Sequence, residues 1–392
     1  MKVLMINVVC GIRSTGRICT DLATALEAQG HEVKIAYGRE NVPEQFQKYA
    51  VRIGTDLDVK LHGVKARLLD GAGFGSKRAT EKFIEWVKEY DPDVIHLHNI
   101  HGYYINVEVL FNYLKECGKK VIWTLHDCWA FTGHCAYFDY VECDKWKTGC
   151  NHCEQKTEYP ARIGPDMSKQ HYAIKKELFT GIKDMTLVTP SQWLADLVSE
   201  SYMSEYDVKV IHNGIDTEVF KPTKNNVHVK YNCVGKKIVL GVAAVWDRRK
   251  GLDTFIELSK KLEDSYQIVL VGLTKEQSEK LPSNIIGVER TNSVKELAEL
   301  YTAAHVFVNP TLEDNYPTTN IEAIACGTPV ITYETGGSPE SAEMYGVSIQ
   351  KNNIQDLVKN IENRENFKLL NSDVDYKTTM KKYVELYEEI LL

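Results

Sequence analysis

The hydrophobic positions of the chain fall into short unbroken runs separated by stretches of helical spacing. Residues 2–9 begin with Val3-Leu4-Met5-Ile6, a run without alternation, as expected of a strand buried on both faces. A turn containing Gly11 and Gly16 follows, and Ile18, Leu22, Ala25 and Leu26 then recur at intervals that share one helical face over 17–29. Gly30 ends that helix, and 32–37 starts another strand. This β-α-β order predicts a parallel sheet covered by helices. The pattern recurs as helix 81–90, strand 94–98, helix 107–117, strand 120–125, strand 185–189, helix 192–199 and strand 208–212. Residues 217–231 contain Pro222 and show no clear period, so the interdomain linker is expected there. A second series runs through strand 237–245, helix 252–262, strand 267–271, helix 294–304, strand 305–309, helix 318–326 and strand 329–333. An amphipathic helix, 376–392, closes the chain. The expected fold class is α/β. Two successive doubly wound domains, 1–216 and 225–375, would bind ligands beyond the carboxyl ends of their strands.

Composition narrows the function. A length of 392 residues suits two domains. Asp+Glu number 54 against 47 Lys+Arg, a net charge of -7, which argues against a partner held by phosphate neutralisation, so no nucleic acid is expected. No apolar run reaches the roughly 18 residues of a membrane-spanning helix. The first apolar run is short, is interrupted by Asn7 and lacks a small-residue cleavage site; it reads as a strand rather than a secretion signal. A cytoplasmic protein with its ten cysteines reduced is the expectation.

Two segments carry candidate chemistry. Strand 237–245 runs into Trp246-Asp247-Arg248-Arg249-Lys250-Gly251, which sets three cations between a strand end and a helix N-terminus, a plausible diphosphate site. Strand 305–309 runs into Glu313-Asp314-Asn315-Tyr316-Pro317 and then the helix beginning at Thr318. Pro317 suits the first helical turn, and backbone N–H groups at 315–318 are available to oxygens. Glu322, one to two turns inside, can accept hydrogen bonds from vicinal hydroxyls such as those of a ribose.

Asp314-x7-Glu322 followed by Ala-Ile-Ala-Cys-Gly-Thr-Pro-Val resembles the acidic-x7-Glu motif of retaining glycosyltransferases of family 4. Arg249-Lys250-Gly251 resembles that family's donor-phosphate motif, and Trp123-Thr124-Leu125-His126-Asp127 its strand-end histidine. Asn213-Gly214-Ile215-Asp216 resembles its interdomain segment, and Thr335-Gly336-Gly337-Ser338-Pro339-Glu340 its last glycine turn. The nearest likeness is to the polysaccharide-building branch that includes colanic acid glycosyltransferases. The resemblance implies a GT-B fold, two Rossmann-like domains facing a cleft, with the acceptor side N-terminal, the nucleotide-sugar side C-terminal and the last helix crossing back. It implies transfer from a UDP- or GDP-sugar to a glycan or lipid-linked glycan, with retention and without a catalytic metal. Peripheral contact with the inner face of the membrane would fit a lipid-linked acceptor, but the sequence shows no strongly basic amphipathic helix to support it. The catalytic set carried over is His126 near the anomeric carbon, Arg249 and Lys250 on the diphosphate, Asp314 on the sugar and Glu322 on the ribose. Donor-binding residues would be Gly11, Gly16, Arg248, Glu313, Asn315, Tyr316, Pro317 and Thr318. Asp314 stands where the family usually has Glu, one methylene longer. A GT-B nucleotide-sugar epimerase and a binding subunit without catalysis are the rival readings, separated from transfer by an assay with donor.

An insertion at about 128–165 holds Cys128, Cys135, Cys143, Cys150 and Cys153 within 26 residues. Cys150-x2-Cys153 has chelating spacing, and Cys135 and Cys143 would complete a tetrahedral structural zinc site. The competing reading is a set of packed, reduced thiols.

Overall fold

In the computed structural model, which describes residues 1–370 and 373–392, the apolar runs become two parallel sheets. The first is built from β1 (Lys2–Asn7), β2 (Glu32–Tyr37), β3 (Ala50–Arg52), β4 (Val94–Leu97), β5 (Lys120–Thr124), β6 (Met185–Thr189) and β7 (Asp207–Val210), in the order β3-β2-β1-β4-β5-β6-β7. The second contains β8 (Lys237–Val242), β9 (Tyr266–Val271), β10 (Ile285–Val288), β11 (Ala304–Asn309), β12 (Val330–Tyr333) and β13 (Gly346–Ile349), in the order β10-β9-β8-β11-β12-β13. Each is a doubly wound sheet whose strand order reverses once, between β1 and β4 in the first and between β8 and β11 in the second. The central strands lack alternation because helices cover both faces: Val3, Leu4, Met5 and Ile6 are all buried, as are Ile238, Val239 and Leu240.

The chain divides into one unit of Met1–Ile211 with Met380–Leu392 and a second of His212–Thr379. The segment expected as a linker, 217–231, therefore lies within the second unit. Phe220 and Val227 are buried in its core, which is why the lack of period there misled: these side chains pack without forming a long helix. The closing helix, Tyr376–Leu391, is shared between the units. In the first unit its Tyr387 hydroxyl lies 2.6 Å from His96 Nδ1, and its Tyr383 hydroxyl 3.2 Å from Thr124 Oγ1.

Elements absent from the sequence reading are short or locally ambiguous. β3 has three residues, and β10 and β13 are sheet edges of four. The helices Asp56–Leu69 and Ser168–Phe179 are longer. In the first, the buried residues are His62 and Ala66 alone, so its apolar pattern does not mark the core face.

Candidate active site

In doubly wound sheets the loops leaving the two strands at the reversal diverge and open a crevice at their carboxyl ends. In the second unit those strands are β8 and β11, and the residues after them are the ones singled out above. Beyond β8, Asp247 accepts from the Arg249 backbone N–H at 3.0 Å, shaping the single turn Arg248–Lys250. Gly251 then turns left-handed at φ 72°, where a Cβ would stand 2.4 Å from the Pro310 carbonyl oxygen. The loop after β11 is thereby drawn alongside, and Leu312 N–H donates to the Arg249 carbonyl at 2.7 Å.

The consequence is an ion pair across the two loops. Lys250 Nζ lies 2.6 Å from Asp314 Oδ2, with both side chains partly exposed. Arg249 lies instead 3.4 Å from Asp247. Asp314 is fixed further by the Asn315 N–H at 2.9 Å. Its carbonyl accepts from Gly337 N–H, and a Cβ at Gly336 would stand 1.8 Å from that oxygen. The glycine turn after β12 thus closes on the same edge. Glu313, the neighbouring acid, is buried, whereas the shorter Asp314 reaches the lysine.

Pro317 caps the helix Thr318–Ala325, and Asn315 and Tyr316 are buried just before it. Tyr316 stacks on His212 with ring centroids 4.8 Å apart. Glu322 accepts a hydrogen bond from the buried Tyr301 hydroxyl at 3.0 Å. Burial and the adjacent Glu322 carboxylate raise the pKa of that phenol, so it remains a donor. The helix is anchored by Asn320, which is wholly buried. Its Oδ1 accepts from Asn309 Nδ2 at 2.8 Å, and its Nδ2 donates to Ser341 Oγ at 2.8 Å. Thr332 and Ser338 hydroxyls join at 2.6 Å. Such a satisfied buried network fixes helix against sheet, and so fixes Glu322. Tyr301 and Asn320 were missed by sequence reasoning. Only the polar Asn320 inside an apolar helix face offered a signal.

The first unit holds the remaining candidates. Gly11 N–H donates to the Gly16 carbonyl at 3.0 Å in the turn after β1, beside the reversal. His126, after β5, lies 3.1 Å through Nε2 from Nδ1 of the buried His98. His101 Nε2 lies 2.9 Å from Asp127 Oδ2, and His101 Nδ1 lies 2.9 Å from the Tyr159 hydroxyl. His98, His101, His126 and Asp127 line a small cavity of about 10 Å³. Burial lowers the His126 pKa to about 4, so the ring is neutral at pH 7. Burial alone would push Asp127 upward, but His101 and the Trp129 N–H outweigh it and hold the carboxyl low. His98 and His101 escaped the sequence reading, although the run His96-x-His98-x2-His101 was visible in it.

In the cysteine loop, Cys135 and Cys153 are joined by a thiol hydrogen bond that holds Cys153 below the ordinary cysteine range and raises Cys135. Cys150 Sγ accepts from Gly133 N–H at 3.2 Å, and Cys143 packs at the edge of the first core. Among the described residues no three His, Cys, Asp or Glu side chains are set as ligands of a metal ion. The loop's aromatics form a local core: Phe138 stacks on Trp146 at 5.0 Å, and Phe131 lies 5.3 Å from Trp146. Lys175, buried, sits 3.6 Å above the Trp129 ring and donates to that residue's carbonyl. Three Asp-x-Asp triplets occur in the chain, at 56–58, 91–93 and 373–375. Asp58 completes a capping box with Thr55, Asp91 pairs with Lys119 at 2.6 Å, and Asp375 bonds the Thr217 hydroxyl.

Comparison with known proteins bears on both units. A family described as Glycosyltransferase Family 4 matches residues 15–219, and one described as Glycosyl transferases group 1 matches 236–364. The putative colanic acid biosynthesis glycosyl transferase WcaC of Escherichia coli (strain K12) is 24% identical over 358 residues, covering 88% of this chain and 86% of that protein. Among solved structures, sucrose-phosphate synthase from Thermosynechococcus elongatus superposes with a TM-score of 0.70 at 16% identity, covering 100% of this chain and 99% of the other. HepE from Anabaena, in complex with UDP-glucose, gives a TM-score of 0.64 at 14% identity, covering 99% and 100%. These two structures share the fold of two doubly wound units. The first family match spans just over half of the chain and the second most of the remaining unit, so the chain belongs to glycosyltransferase family 4, with the GT-B fold.

Proposed function

We propose that this glycosyltransferase moves a sugar, with retention of anomeric configuration, from a UDP- or GDP-sugar onto a glycan or lipid-linked glycan acceptor in surface polysaccharide synthesis. The work would take place on the cytoplasmic side, without a catalytic metal. The observation that carries the reading is the Lys250–Asp314 pair at the β8/β11 reversal, beside a helix whose Glu322 is positioned by Tyr301. Glu322 offers a carboxylate to two vicinal ribose hydroxyls. Lys250 and Arg249 neutralise the diphosphate as the bond to the sugar breaks. Asp314, Asn315 and the N–H groups at the start of Thr318–Ala325 orient the sugar hydroxyls. His126, in the first unit, holds an uncharged imidazole. The UDP-glucose complex of HepE supports a nucleotide sugar, and the likeness to WcaC supports polysaccharide synthesis.

Calorimetric titration with UDP and GDP sugars tests the donor, and anomeric proton couplings of the product test retention. Glu322→Gln is expected to weaken nucleotide binding by about 1.5–3 kcal/mol, the worth of a hydrogen bond to a charged group. Unchanged affinity would remove Glu322 from the ribose.

The cysteine loop is proposed as a structural element. A zinc ion there rests on the residue spacing alone, and elemental analysis of protein purified without added metal decides it. About one zinc per chain supports the closed site; none, with normal stability of Cys150→Ser, assigns the thiols to packing.

A further inference from the structure

The helix Asp56–Leu69 carries its large aliphatic residues on the wrong side for a helix that serves only the core. Its buried residues are His62 and Ala66. His62 is tied down by the Ser76 hydroxyl at 3.0 Å and by Gly75 N–H, which donates to Nε2 at 3.0 Å. On the opposite face Leu57, Leu61, Val64 and Leu68 follow at intervals of four, three and four. At 100° per residue they fall within about 60° of one another. They are 64%, 61%, 55% and 50% exposed. Exposed Ile163, whose N–H bonds the Arg67 carbonyl at 2.9 Å, adds a further apolar side chain beside the helix.

Cations border this stripe on both sides. By the same arithmetic Lys60 and Arg67 lie along one edge and Lys65 along the other, all exposed. Exposed Lys77 and Arg78 open the next helix, which the His62–Ser76 bond holds nearby. The helix's two acids sit at its first turn. Asp58 is engaged in the cap, and Asp56 pairs with Arg52 at 2.5 Å. A chain of net charge -7 thus presents a positive, leucine-striped face.

A solvated helix would carry charges where these leucines stand, and a core helix would hide them. We propose that this face docks on an anionic lipid bilayer. The leucines would enter the boundary between headgroups and acyl chains, while the lysines and arginines extend to the phosphates. Charge decides against a second copy of the chain as the occupant, because two such faces would set like charges together. The proposal rests on the reading above only in its purpose, the delivery of a lipid-linked acceptor; the docking itself is independent of the reaction.

The test is co-sedimentation of the full chain with phosphatidylcholine vesicles, with and without phosphatidylglycerol. Binding is expected to the anionic vesicles and to weaken with added salt. Leu61→Asp, and separately the pair Lys60→Glu with Lys65→Glu, should each reduce it about tenfold or more, while circular dichroism and nucleotide affinity stay unchanged. Equal binding by wild type and variants would overturn the proposal, as would no binding to anionic vesicles. A dimer in light scattering that Leu61→Asp dissolves would overturn it in favour of self-association. Vesicle binding by a wild type that binds no nucleotide would support the docking and count against the catalytic reading instead.

Discussion

Lys250→Ala is expected to lower kcat by about a hundredfold to a thousandfold while changing KM for the donor far less. The ammonium stands at the carboxyl edge of β8, held 2.6 Å from Asp314 and therefore preorganised. In the ground state the nucleotide diphosphate shares its charge with the sugar ester. As the glycosidic bond breaks, negative charge accumulates on the departing oxygen, so a fixed cation interacts more strongly with the transition state than with the bound donor. Arg249→Ala should cost the same or less, since that side chain is turned towards Asp247. Removing Lys250 also leaves Asp314 without its partner. The double variant Lys250→Ala with Asp314→Asn separates the two effects: if lost charge neutralisation dominates, the double variant is no faster than Lys250→Ala. Steady-state kinetics with varied donor decide the matter. An unchanged kcat with a raised KM would mean that Lys250 binds ground state and transition state alike.

Acidification from pH 6.5 towards pH 4 is expected to unfold the first unit. It buries several imidazoles. Burial lowers His96 to about 3, and His62, His126 and His171 to about 4, from an ordinary value of 6.5; His98 is lowered as well. The charged ring loses its hydration inside the protein, so the folded state resists protonation that the unfolded chain accepts freely. In this window the unfolded state binds more protons, so stability rises with pH. It is fully present above about pH 6.5 and is lost progressively as pH falls towards the folded values. A fall from 6.5 to about 4 corresponds to roughly 3 kcal/mol per histidine. Two or three such groups match the whole margin of about 5–15 kcal/mol of an ordinary domain. Melting followed by tryptophan fluorescence as a function of pH reads this directly, because Trp123 and Trp129 lie in the first core. His171, stacked on Phe74 at 4.6 Å, offers the control: His171→Phe should flatten the acid limb. Stability that stays constant between pH 7 and pH 4.5 would contradict the assignment.

The two units differ in how their candidate residues could be read. In the second unit the candidate residues fall on contiguous stretches, 248–251 and 313–322, because a loop leaving a parallel strand and the helix after it are consecutive in the chain. In the first unit the histidines after β4 and β5 meet only because the two strands pair, with His96 opposite Ile122. A reading along the chain finds His126 but does not give it His98 as a neighbour.

The sequence by itself determined the fold class, most of the parallel strands and the location of the basic and acidic segments. Each of these is written in local signals: apolar runs buried on both faces, helical periods, and glycines where loops turn. The tertiary structure decided which acid faces Lys250, that Tyr301 and Asn320 position Glu322, and that 217–231 packs within the second unit. It also showed that the leucines of Asp56–Leu69 point outward. The physical reason is the same throughout. Periodicity reports that a face is apolar, but not whether protein or solvent lies against it. Hydrogen-bond partners separated by tens of residues are chosen only when strands pair and helices pack.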